Sequence, residues 1–403
     1  MKKVLIINTT LNKGGAARIA HNLFENLNSD FEMFFAYGRE KNILKKNTFY
    51  FGNKLEVLIH VFLVRFLGLE GLGSYFSTRK LINYIKKEKF DLVNLHNLHG
   101  YYVNFSSLLY FLNKSKIPII YSLHDEWSIT WLPAHSLGCD HCKSGIGECI
   151  NTYQYPKNYF PLFTKYMLKI KKKVFNDLSN LIIICPSNWL KESIQNSFLN
   201  KFKIQVINNG VDINIFKPIL NKDELKIKYN LPLNKKIILF SASNLNDTSK
   251  GVSHIIDTAK ILTNKNYLFV GLGKGNIQNS INLKTFGYIY NNKVLSEIYA
   301  LSDIFCFTST AETFLLSAAE ALSCGIPVVG FDIPVVRELV SSRVGVLTMN
   351  NNKSLSDEIN HLINDKDRII EMGKLGRELI VGNYSNKIFY KNYIDAYNNI
   401  LNI

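Results

Sequence analysis

Two carboxylates stand eight positions apart in TSTAETFLLSAAEALSCGIPVV, residues 308–329. The apolar run DIFCFTS predicts a buried strand, and LLSAAEALSCG predicts a helix that is stopped by Gly325 and Pro327. Glu312 would lie on the loop that leads into this helix, and Glu320 about two turns into it. The amides at a helix start suit a phosphate, and carboxylates accept hydrogen bonds from sugar hydroxyls. The pattern therefore favours a nucleotide sugar, with two surface glutamates on an ordinary helix as the alternative.

Two further loops carry residues that suit a diphosphate. SASNLNDTSKG runs from a strand through a polar loop to Lys250 and Gly251, and the lysine would offset charge on a leaving diphosphate. Near the N-terminus, Gly14 and Gly15 separate the first predicted strand from the first helix and permit close backbone approach to a ligand. These glycines do not form the GxGxxG fingerprint, so NAD is not predicted.

The chain has 403 residues, with 48 Lys and Arg against 32 Asp and Glu, and a formal charge of +16. This excess suits a membrane surface, a phosphorylated substrate or nucleic acid. Nucleic acid is not expected, because no RNP, zinc-finger or helix-turn-helix pattern accompanies the charge. The longest apolar stretch, residues 55–69, is interrupted by Glu56, His60 and Arg65, so no transmembrane segment is predicted. We expect a cytoplasmic protein, either free or peripheral on the inner face of the cell membrane.

Short apolar runs alternate with helical patterns, which predicts βα units, parallel sheets and an α/β fold. The length and a break near residues 210–220 predict two doubly wound domains, residues 1–212 and 213–384, with ligands in the cleft between them. The last segment, residues 385–403, predicts a helix that packs back onto the first domain. The candidate strands are KVLIINTT, FEMFFAYG, DLVNLH, IPIIYSLHD, LIIICPS and IQVINNG, followed by KIILFSAS, YLFVGLG, DIFCFTS and PVVGFD.

Seven motifs occur in an order that covers essentially the whole chain. They are KGGAA, DLVNLHNLHGYYVN, YSLHDEW, CPSNWL, VINNGVDINIFKP, SKG and AETFLLSAAEALSCGIPVV. With these motifs the chain resembles the GT-B fold retaining glycosyltransferases of family 4, in the bacterial branch that builds colanic-acid-type exopolysaccharide and O-antigen. The resemblance implies two Rossmann-like domains that face a central cleft, the first on the acceptor side and the second binding the nucleotide sugar.

The resemblance implies three catalytic residues. Glu312 would bind the hydroxyls of the donor sugar, Lys250 would neutralise the charge that develops on the diphosphate, and His124 in LHDEW would lie beside the sugar. The alternative for His124 is a histidine that caps a turn at a strand end. The implied reaction retains the anomeric configuration without a covalent intermediate. No cofactor or metal is required, because cationic side chains and helix dipoles supply the electrostatic stabilisation.

The resemblance also implies a set of donor-binding residues. Glu320 would hold the ribose hydroxyls, and Gly15, beside Gly14, would approach the diphosphate from the first domain. One departure from the family pattern concerns Asn244, which stands where an arginine usually precedes the Lys-Gly pair and cannot supply a full positive charge. The diphosphate would further contact the backbone amides of Phe314, Leu315 and Leu316.

A cluster of His and Cys residues lies in HSLGCDHCKSGIGEC. Cys139 and Cys142 have the C-x2-C spacing of zinc ligands, with His135 and Cys149 nearby. A cytoplasmic location argues against a disulfide. The cluster resembles an insert in the same branch of the family, and we expect a structural zinc site, with free thiols in a loop as the alternative. Cys185, Cys306 and Cys324 are expected in the core.

A basic amphipathic pattern occupies KNYFPLFTKYMLKIKKKVF, residues 157–175. Aromatic and aliphatic residues are interleaved with lysines, as in helices that bind anionic lipid headgroups. The alternative is the solvated face of an ordinary helix. The lysines are Lys157, Lys165, Lys169, Lys171, Lys172 and Lys173.

Together these features predict transfer of a hexose from a nucleoside-diphosphate sugar to a glycan or lipid-linked glycan in surface polysaccharide biosynthesis. One alternative is a non-hydrolysing nucleotide-sugar epimerase, which shares the fold but needs further acid/base groups around the sugar. The other is a non-catalytic partner that binds glycan or lipid. Asn244 leaves that second alternative open, whereas the presence of Glu312, Glu320 and Lys250 argues against it.

Overall fold

The computed structural model describes residues 1–40, 43, 45–139, 143, 155–160, 162–263 and 266–402. The chain divides into two compact units. The N-terminal unit comprises Met1–Asn208 and Tyr390–Ile403, and the C-terminal unit comprises Asn209–Phe389. Each unit is built on one parallel sheet with helices in the connections between strands.

The sheet of the N-terminal unit has seven strands in the order β3-β2-β1-β4-β5-β6-β7. The central strands are almost fully buried, as expected for a parallel sheet with both faces covered. The strands are β1 (Lys3–Asn8), β2 (Glu32–Tyr37), β3 (Thr48–Tyr50), β4 (Leu92–Leu95), β5 (Ile119–Ser122), β6 (Leu181–Cys185) and β7 (Lys203–Val206). The helices are α1 (Gly15–Asn26), α2 (Lys54–Leu67), α3 (Tyr75–Glu88), α4 (Phe105–Ser115), α5 (Thr164–Asn176) and α6 (Asn188–Gln195).

The sheet of the C-terminal unit has six strands in the order β10-β9-β8-β11-β12-β13. The strands are β8 (Lys236–Asn244), β9 (Tyr267–Lys274), β10 (Leu283–Thr285), β11 (Ile304–Phe307), β12 (Val328–Phe331) and β13 (Gly345–Thr348). The helices are α7 (Lys222–Lys228), α8 (Val252–Ile261), α9 (Asn292–Leu301), α10 (Leu316–Ser323), α11 (Asn352–Asn364), α12 (Lys366–Asn383) and α13 (Asn386–Leu401). Two short 3-10 turns occupy Thr248–Lys250 and Pro334–Glu338.

The fold class predicted from the sequence is confirmed, since both sheets are parallel and the connections contain helices. All ten predicted strands are present. The sequence reading missed β3, β10 and β13, which are three or four residues long and lie at sheet edges. An edge strand has a neighbour on one side only, so it lacks the continuous apolar run that identifies a central strand.

Helix α13 begins in the C-terminal unit and ends in the N-terminal unit. The Asn94 side-chain amide on β4 donates to the Tyr397 hydroxyl at 2.8 Å. The Tyr393 hydroxyl donates to Ser122 Oγ on β5 at 2.9 Å. All four residues are buried, so the last helix satisfies polar groups at the centre of the first sheet.

Helix α2 covers the longest apolar stretch of the sequence. Its 14 residues are fewer than the roughly 20 that a membrane-spanning helix needs. Across the described part of the chain, we find no helix whose length and hydropathy would allow it to cross a bilayer.

Candidate functional site

An ion pair lies at the carboxyl ends of the strands in the C-terminal unit. Lys250 Nζ donates to Glu312 Oε1 at 2.7 Å, and the two side chains are 25% and 13% exposed. Lys250 ends the 3-10 turn that follows β8, and Glu312 lies on the loop between β11 and α10. The two candidate catalytic residues of this unit, 62 positions apart in the chain, are therefore in direct contact.

Backbone contacts hold the two loops together. Thr308 Oγ1 donates to the carbonyl of Gly251 at 2.8 Å, and the Thr310 amide donates to the carbonyl of Ser249 at 2.9 Å. Gly251 has a φ of +61°, and an added Cβ would lie 2.1 Å from the Thr308 carbonyl oxygen. A glycine is therefore required where the loop turns into α8, and this close approach places Lys250 against Glu312.

The ion pair keeps Lys250 positively charged. Burial alone lowers the pKa of Lys250, but the charge of Glu312, its hydrogen bond and the nearby Asp247 together raise it above the ordinary lysine value. An ammonium group has three donors. Lys250 can therefore hold Glu312 with one donor and still offer others to an anion.

The helix start next to Glu312 follows the sequence prediction. Strand β11 ends at Phe307 and α10 begins at Leu316, with Leu315 as an N-cap residue whose side chain makes no capping hydrogen bond. The Leu316 amide donates to the Phe314 carbonyl at 3.0 Å. Glu320 lies on the second turn and is 4% exposed.

The remaining donor-site candidates lie in separate parts of the chain. Asn244 ends β8 and is exposed, and its Oδ1 accepts a hydrogen bond from the Asn246 amide at 3.1 Å. Gly14 and Gly15 lie at the start of α1 in the N-terminal unit. An added Cβ at either glycine would contact nothing within 4 Å, so neighbouring atoms leave this turn open. The φ of +98° at Gly14 is one that glycine adopts without strain.

His124, which follows β5, pairs with a second histidine. His124 Nε2 lies 2.8 Å from His96 Nδ1, and the two rings are stacked with centroids 5.0 Å apart. Burial lowers the pKa of His124 to about 4 and lowers the pKa of His96 as well. Both rings are therefore neutral at pH 7, and one donates a hydrogen bond to the other.

The sequence reading missed a second polar pair in the N-terminal unit. His99 Nε2 lies 2.6 Å from Asp125 Oδ2, and Asp125 Oδ1 accepts from the Trp127 amide at 2.9 Å. Although burial opposes ionisation, the charge and hydrogen bond of His99 lower the pKa of Asp125 to about 2. Burial also opposes the charged form of His99, but Asp125 raises the pKa of His99. The repeated histidines of LHNLHG, directly after a strand, were the available signal.

Lys171 corrects the interpretation of residues 157–175 as a uniformly basic face. It is fully buried, and its Nζ donates to the carbonyls of Trp127 and Thr130 at 2.6 and 2.9 Å. It also lies 3.6 Å from the centre of the Trp127 ring. Lys171 is four residues from the buried Met167 and Phe175, so helical spacing alone places it on the apolar face.

The proposed zinc ligands are only partly covered by the structure. His135 and Cys139 are half-buried, and Cys142 and Cys149 lie outside the described residues. His135 Nδ1 is buried and has no hydrogen-bond partner in the described ranges. In those same ranges, no three His, Cys, Asp or Glu side chains form a group that could hold a metal ion. Cys185, Cys306 and Cys324 are buried, as predicted.

Comparisons with known proteins cover most of the chain. Residues 13–215 match Glycosyltransferase Family 4, and residues 221–379 match Glycosyl transferases group 1. The chain is 23% identical to the putative colanic acid biosynthesis glycosyl transferase WcaC of Escherichia coli, over 85% of this chain and 86% of that protein. It is 29% identical to the N,N'-diacetylbacillosaminyl-diphospho-undecaprenol alpha-1,3-N-acetylgalactosaminyltransferase of Campylobacter jejuni, over 57% of this chain and 63% of that protein.

The fold is also found among solved structures. The crystal structure of Anabaena Alr3699/HepE in complex with UDP and glucose is similar, with a TM-score of 0.70 and 17% identity. The alignment covers 98% of this chain and 99% of that one. Because the identity is low, this likeness establishes the shared GT-B fold.

Proposed function

The chain belongs to glycosyltransferase family 4, and we propose that it moves a hexose from a nucleoside-diphosphate sugar to a lipid-linked oligosaccharide. The Lys250–Glu312 pair beside the start of α10 is the observation that carries the proposal. The relatives named for colanic acid biosynthesis and for a diphospho-undecaprenol acceptor support a role in surface polysaccharide synthesis. The reaction would take place at the inner face of the cell membrane.

Each candidate residue of the C-terminal unit has a proposed role toward the donor. The amides of Phe314 and Leu315 and the Lys250 ammonium would bind the diphosphate, as helix starts and lysines bind anions. The Leu316 amide, which donates to the Phe314 carbonyl, would have to give up that bond to join them. Glu312 would accept hydrogen bonds from sugar hydroxyls, and Glu320 from the ribose. Asn244 would contact the donor as a neutral group. The complex of HepE with UDP and glucose supports a nucleotide sugar as donor.

The proposed reaction retains the anomeric configuration. The bond from the anomeric carbon to the diphosphate breaks, and a bond to the acceptor hydroxyl oxygen forms on the same face. The hydroxyl proton passes to a diphosphate oxygen. Lys250 and the helix amides would stabilise the negative charge that develops on the diphosphate, so a metal ion is not required.

The N-terminal unit would contribute Gly14, Gly15 and His124. The open turn at the two glycines would let the backbone approach the diphosphate. Since burial lowers the pKa of His124 to about 4, this residue would act toward the sugar as a neutral hydrogen-bonding group. The same unit would bind the acceptor.

The proposal is tested by measuring the binding and slow hydrolysis of UDP-, GDP-, ADP- and dTDP-hexoses by the purified chain in the presence of EDTA. We expect one nucleotide class to bind, and Glu312→Ala and Glu320→Ala to lose binding or hydrolysis. Asp357→Ala, which removes an exposed partner of Lys353, is the control and should behave as wild type.

The outcomes also separate the alternatives. Transfer to an added acceptor, with the anomeric configuration determined by NMR, would distinguish retention from inversion. Conversion of the donor to its epimer would indicate the epimerase. A chain that binds no nucleotide sugar would be the non-catalytic glycan- or lipid-binding partner.

We also propose that His135, Cys139, Cys142 and Cys149 hold a structural zinc ion. The unpartnered nitrogen of His135 suits a metal ligand. Metal analysis of the purified chain should find about one zinc per chain, and Cys139→Ser should lower that content while donor binding persists. A chain purified without a chelator that holds no zinc would have free thiols here instead.

A further inference from the structure

Helix α2 has two apolar faces, and among the residues that the structure describes only one of them is packed. Val57, Val61 and Val64 contact a small cluster with Trp131 and Leu168. The opposite side carries large apolar side chains that are between 40% and 67% exposed. Their spacing of three and four residues places them in one stripe of about 100° along the helix. These exposed residues are Leu55, Leu58, Ile59, Phe62 and Phe66.

Exposed aromatic rings extend this stripe at both ends. The ring of Phe66 lies 4.7 Å from that of Phe62, 5.9 Å from that of Tyr159 and 6.3 Å from that of Phe160. At the start of α2, the Glu56 carboxylate accepts from the Phe76 amide at 2.8 Å, which holds the 72% exposed Phe76 beside the helix. We call the α2 stripe and the rings of Phe76, Tyr159 and Phe160 the α2 face.

The surroundings of the α2 face are basic. The sequence has no Asp or Glu between residues 57 and 69 or between residues 155 and 176. Val64 of α2 and Leu168 of α5 belong to the same small apolar cluster, so both helices border it. Although Lys171 is buried, α2 and the segment from residue 157 to the end of α5 carry exposed cations. They are Arg65, Lys157, Lys165, Lys169 and Lys173.

We infer that the α2 face docks on an anionic phospholipid bilayer, with α2 parallel to the membrane surface. An exposed apolar stripe with flanking lysines is the pattern of helices that lie in the lipid interface. A 14-residue helix is too short to span the bilayer. A symmetric dimer through this face would bring the same cations of two copies together, which disfavours a second copy as the occupant.

The inference rests on the proposed function, because a lipid-linked acceptor would be held at the surface of a phospholipid bilayer. It assigns membrane contact to a hydrophobic stripe of α2 in addition to the lysines of α5. The proposed donor contacts are Gly14, Gly15 and His124 in this unit and residues of the other unit. None of them belongs to the α2 face, so donor binding should not depend on it.

The test measures partition of the purified full chain onto vesicles of phosphatidylcholine with or without phosphatidylglycerol. Leu58→Asn/Phe62→Asn should lower the partition coefficient on anionic vesicles at least about tenfold, since apolar burial drives insertion. The control is Ile227→Asn/Ile370→Asn, which changes two helical residues of the other unit that are 63% and 69% exposed. The control should bind vesicles as wild type does.

A second pair of variants separates charge from hydrophobic contact. Lys165→Gln/Lys169→Gln should weaken binding about fivefold per lysine at low salt and have little effect in about 0.5 M NaCl. Wild-type vesicle binding by the Leu58→Asn/Phe62→Asn variant would overturn the inference. A different result would also overturn it: a wild-type chain that does not bind vesicles but forms a dimer, which the Leu58→Asn/Phe62→Asn substitutions dissociate. Loss of vesicle binding with intact donor binding would leave the proposed donor chemistry standing.

Discussion

Each sheet has a pair of charged or polar side chains at the carboxyl ends of its strands, and the two pairs differ in their exposure to solvent. In the C-terminal unit, Lys250 and Glu312 come from two loops, remain partly exposed and lie beside a helix start. In the N-terminal unit, the His99 side chain is only 7% exposed and pairs with Asp125, whose 15% exposure is close to that of Glu312. The buried Lys171 and the His96–His124 pair belong to the same unit. Partly exposed groups can exchange protein partners for a ligand, whereas buried groups must keep their partners. Lys250 and Glu312 should therefore serve binding and catalysis, whereas the buried His99 and its partner Asp125 should serve stability. His124, which is half-buried, keeps its proposed place beside the sugar.

The largest expected effect is on activity in the C-terminal unit. Lys250→Ala should lower kcat/KM at least about 100-fold, because it removes a positive charge from the proposed diphosphate site. The melting temperature should change little, since the pair is partly exposed. The control is Lys353→Ala, which removes an exposed ion pair with Asp357 in the same unit. A large loss of stability in Lys250→Ala with little loss of activity would break the comparison.

Gly251→Ala tests how the loops position Lys250. The φ of +61° and the 2.1 Å approach to the Thr308 carbonyl oxygen leave no room for a Cβ. The variant should lose about 2 kcal/mol of stability and lower kcat/KM about tenfold or more as Lys250 moves from Glu312. Gly382→Ala is the matched control, because an added Cβ there contacts nothing within 4 Å. Equal behaviour of the two variants would show that this close approach is not needed.

The N-terminal unit should respond to substitution with a loss of stability. Asp125→Asn leaves His99 without a charged partner in a buried position. Urea unfolding should show a loss of about 2 kcal/mol. Asp257→Asn, which removes an exposed partner of Lys260, should change stability by less than about 0.5 kcal/mol. If Asp125→Asn also changed stability by less than about 0.5 kcal/mol, the His99–Asp125 pair would be assigned to ligand binding instead of stability.

A pH dependence of stability follows from the histidine pair. Because burial lowers the pKa of His124 to about 4, the unfolded chain takes up this proton first as pH falls from about 6.5. Stability should therefore fall between pH 6.5 and 4, and His96 acts in the same direction. His99 acts in the opposite direction, since its raised pKa contributes stability below pH 6.5 that is lost as pH rises.

Urea midpoints at several pH values measure this effect for wild type and His124→Asn. The variant should lose less stability between pH 6.5 and 4 than wild type does. Below pH 4, both should lose the contribution of Asp125, whose lowered pKa of about 2 stabilises the fold only while the carboxylate is charged. Parallel pH profiles down to pH 4 would mean that His124 takes up its proton in the folded chain.

The sequence predicted the elements that form the centre of each sheet. Runs such as VLII in β1 and LIIIC in β6 are apolar because both faces of the strand are covered. Strand β3 could not be predicted, because its three residues are all half-buried and carry no such run. Its strand conformation comes from pairing with β2, a tertiary contact that local sequence does not encode.

Sequence patterns also identified residues of the candidate site, but they did not reveal which of these residues contact each other. Glu312 and Lys250 were each selected from their own loops, but their ion pair depends on the turn at Gly251. His99 and Asp125 lie in two of the quoted motifs, but their pairing joins residues 26 positions apart and depends on β4 and β5 being neighbours in the sheet. The basic amphipathic pattern of residues 157–175 includes Lys171, although its spacing of four residues from Met167 and Phe175 already indicates the core.

The last helix has a consequence for the order in which the protein forms. Asn94 and Ser122 hydrogen-bond to each other at 2.9 Å. Each also bonds to a tyrosine of the last helix, Tyr397 or Tyr393, which a ribosome adds only after the entire C-terminal unit. While the chain emerges, the C-terminal unit can complete its sheet from a continuous segment. The N-terminal unit, although it is synthesised first, lacks the hydrogen bonds between its central strands and Tyr393 and Tyr397 until the C-terminal unit has been synthesised.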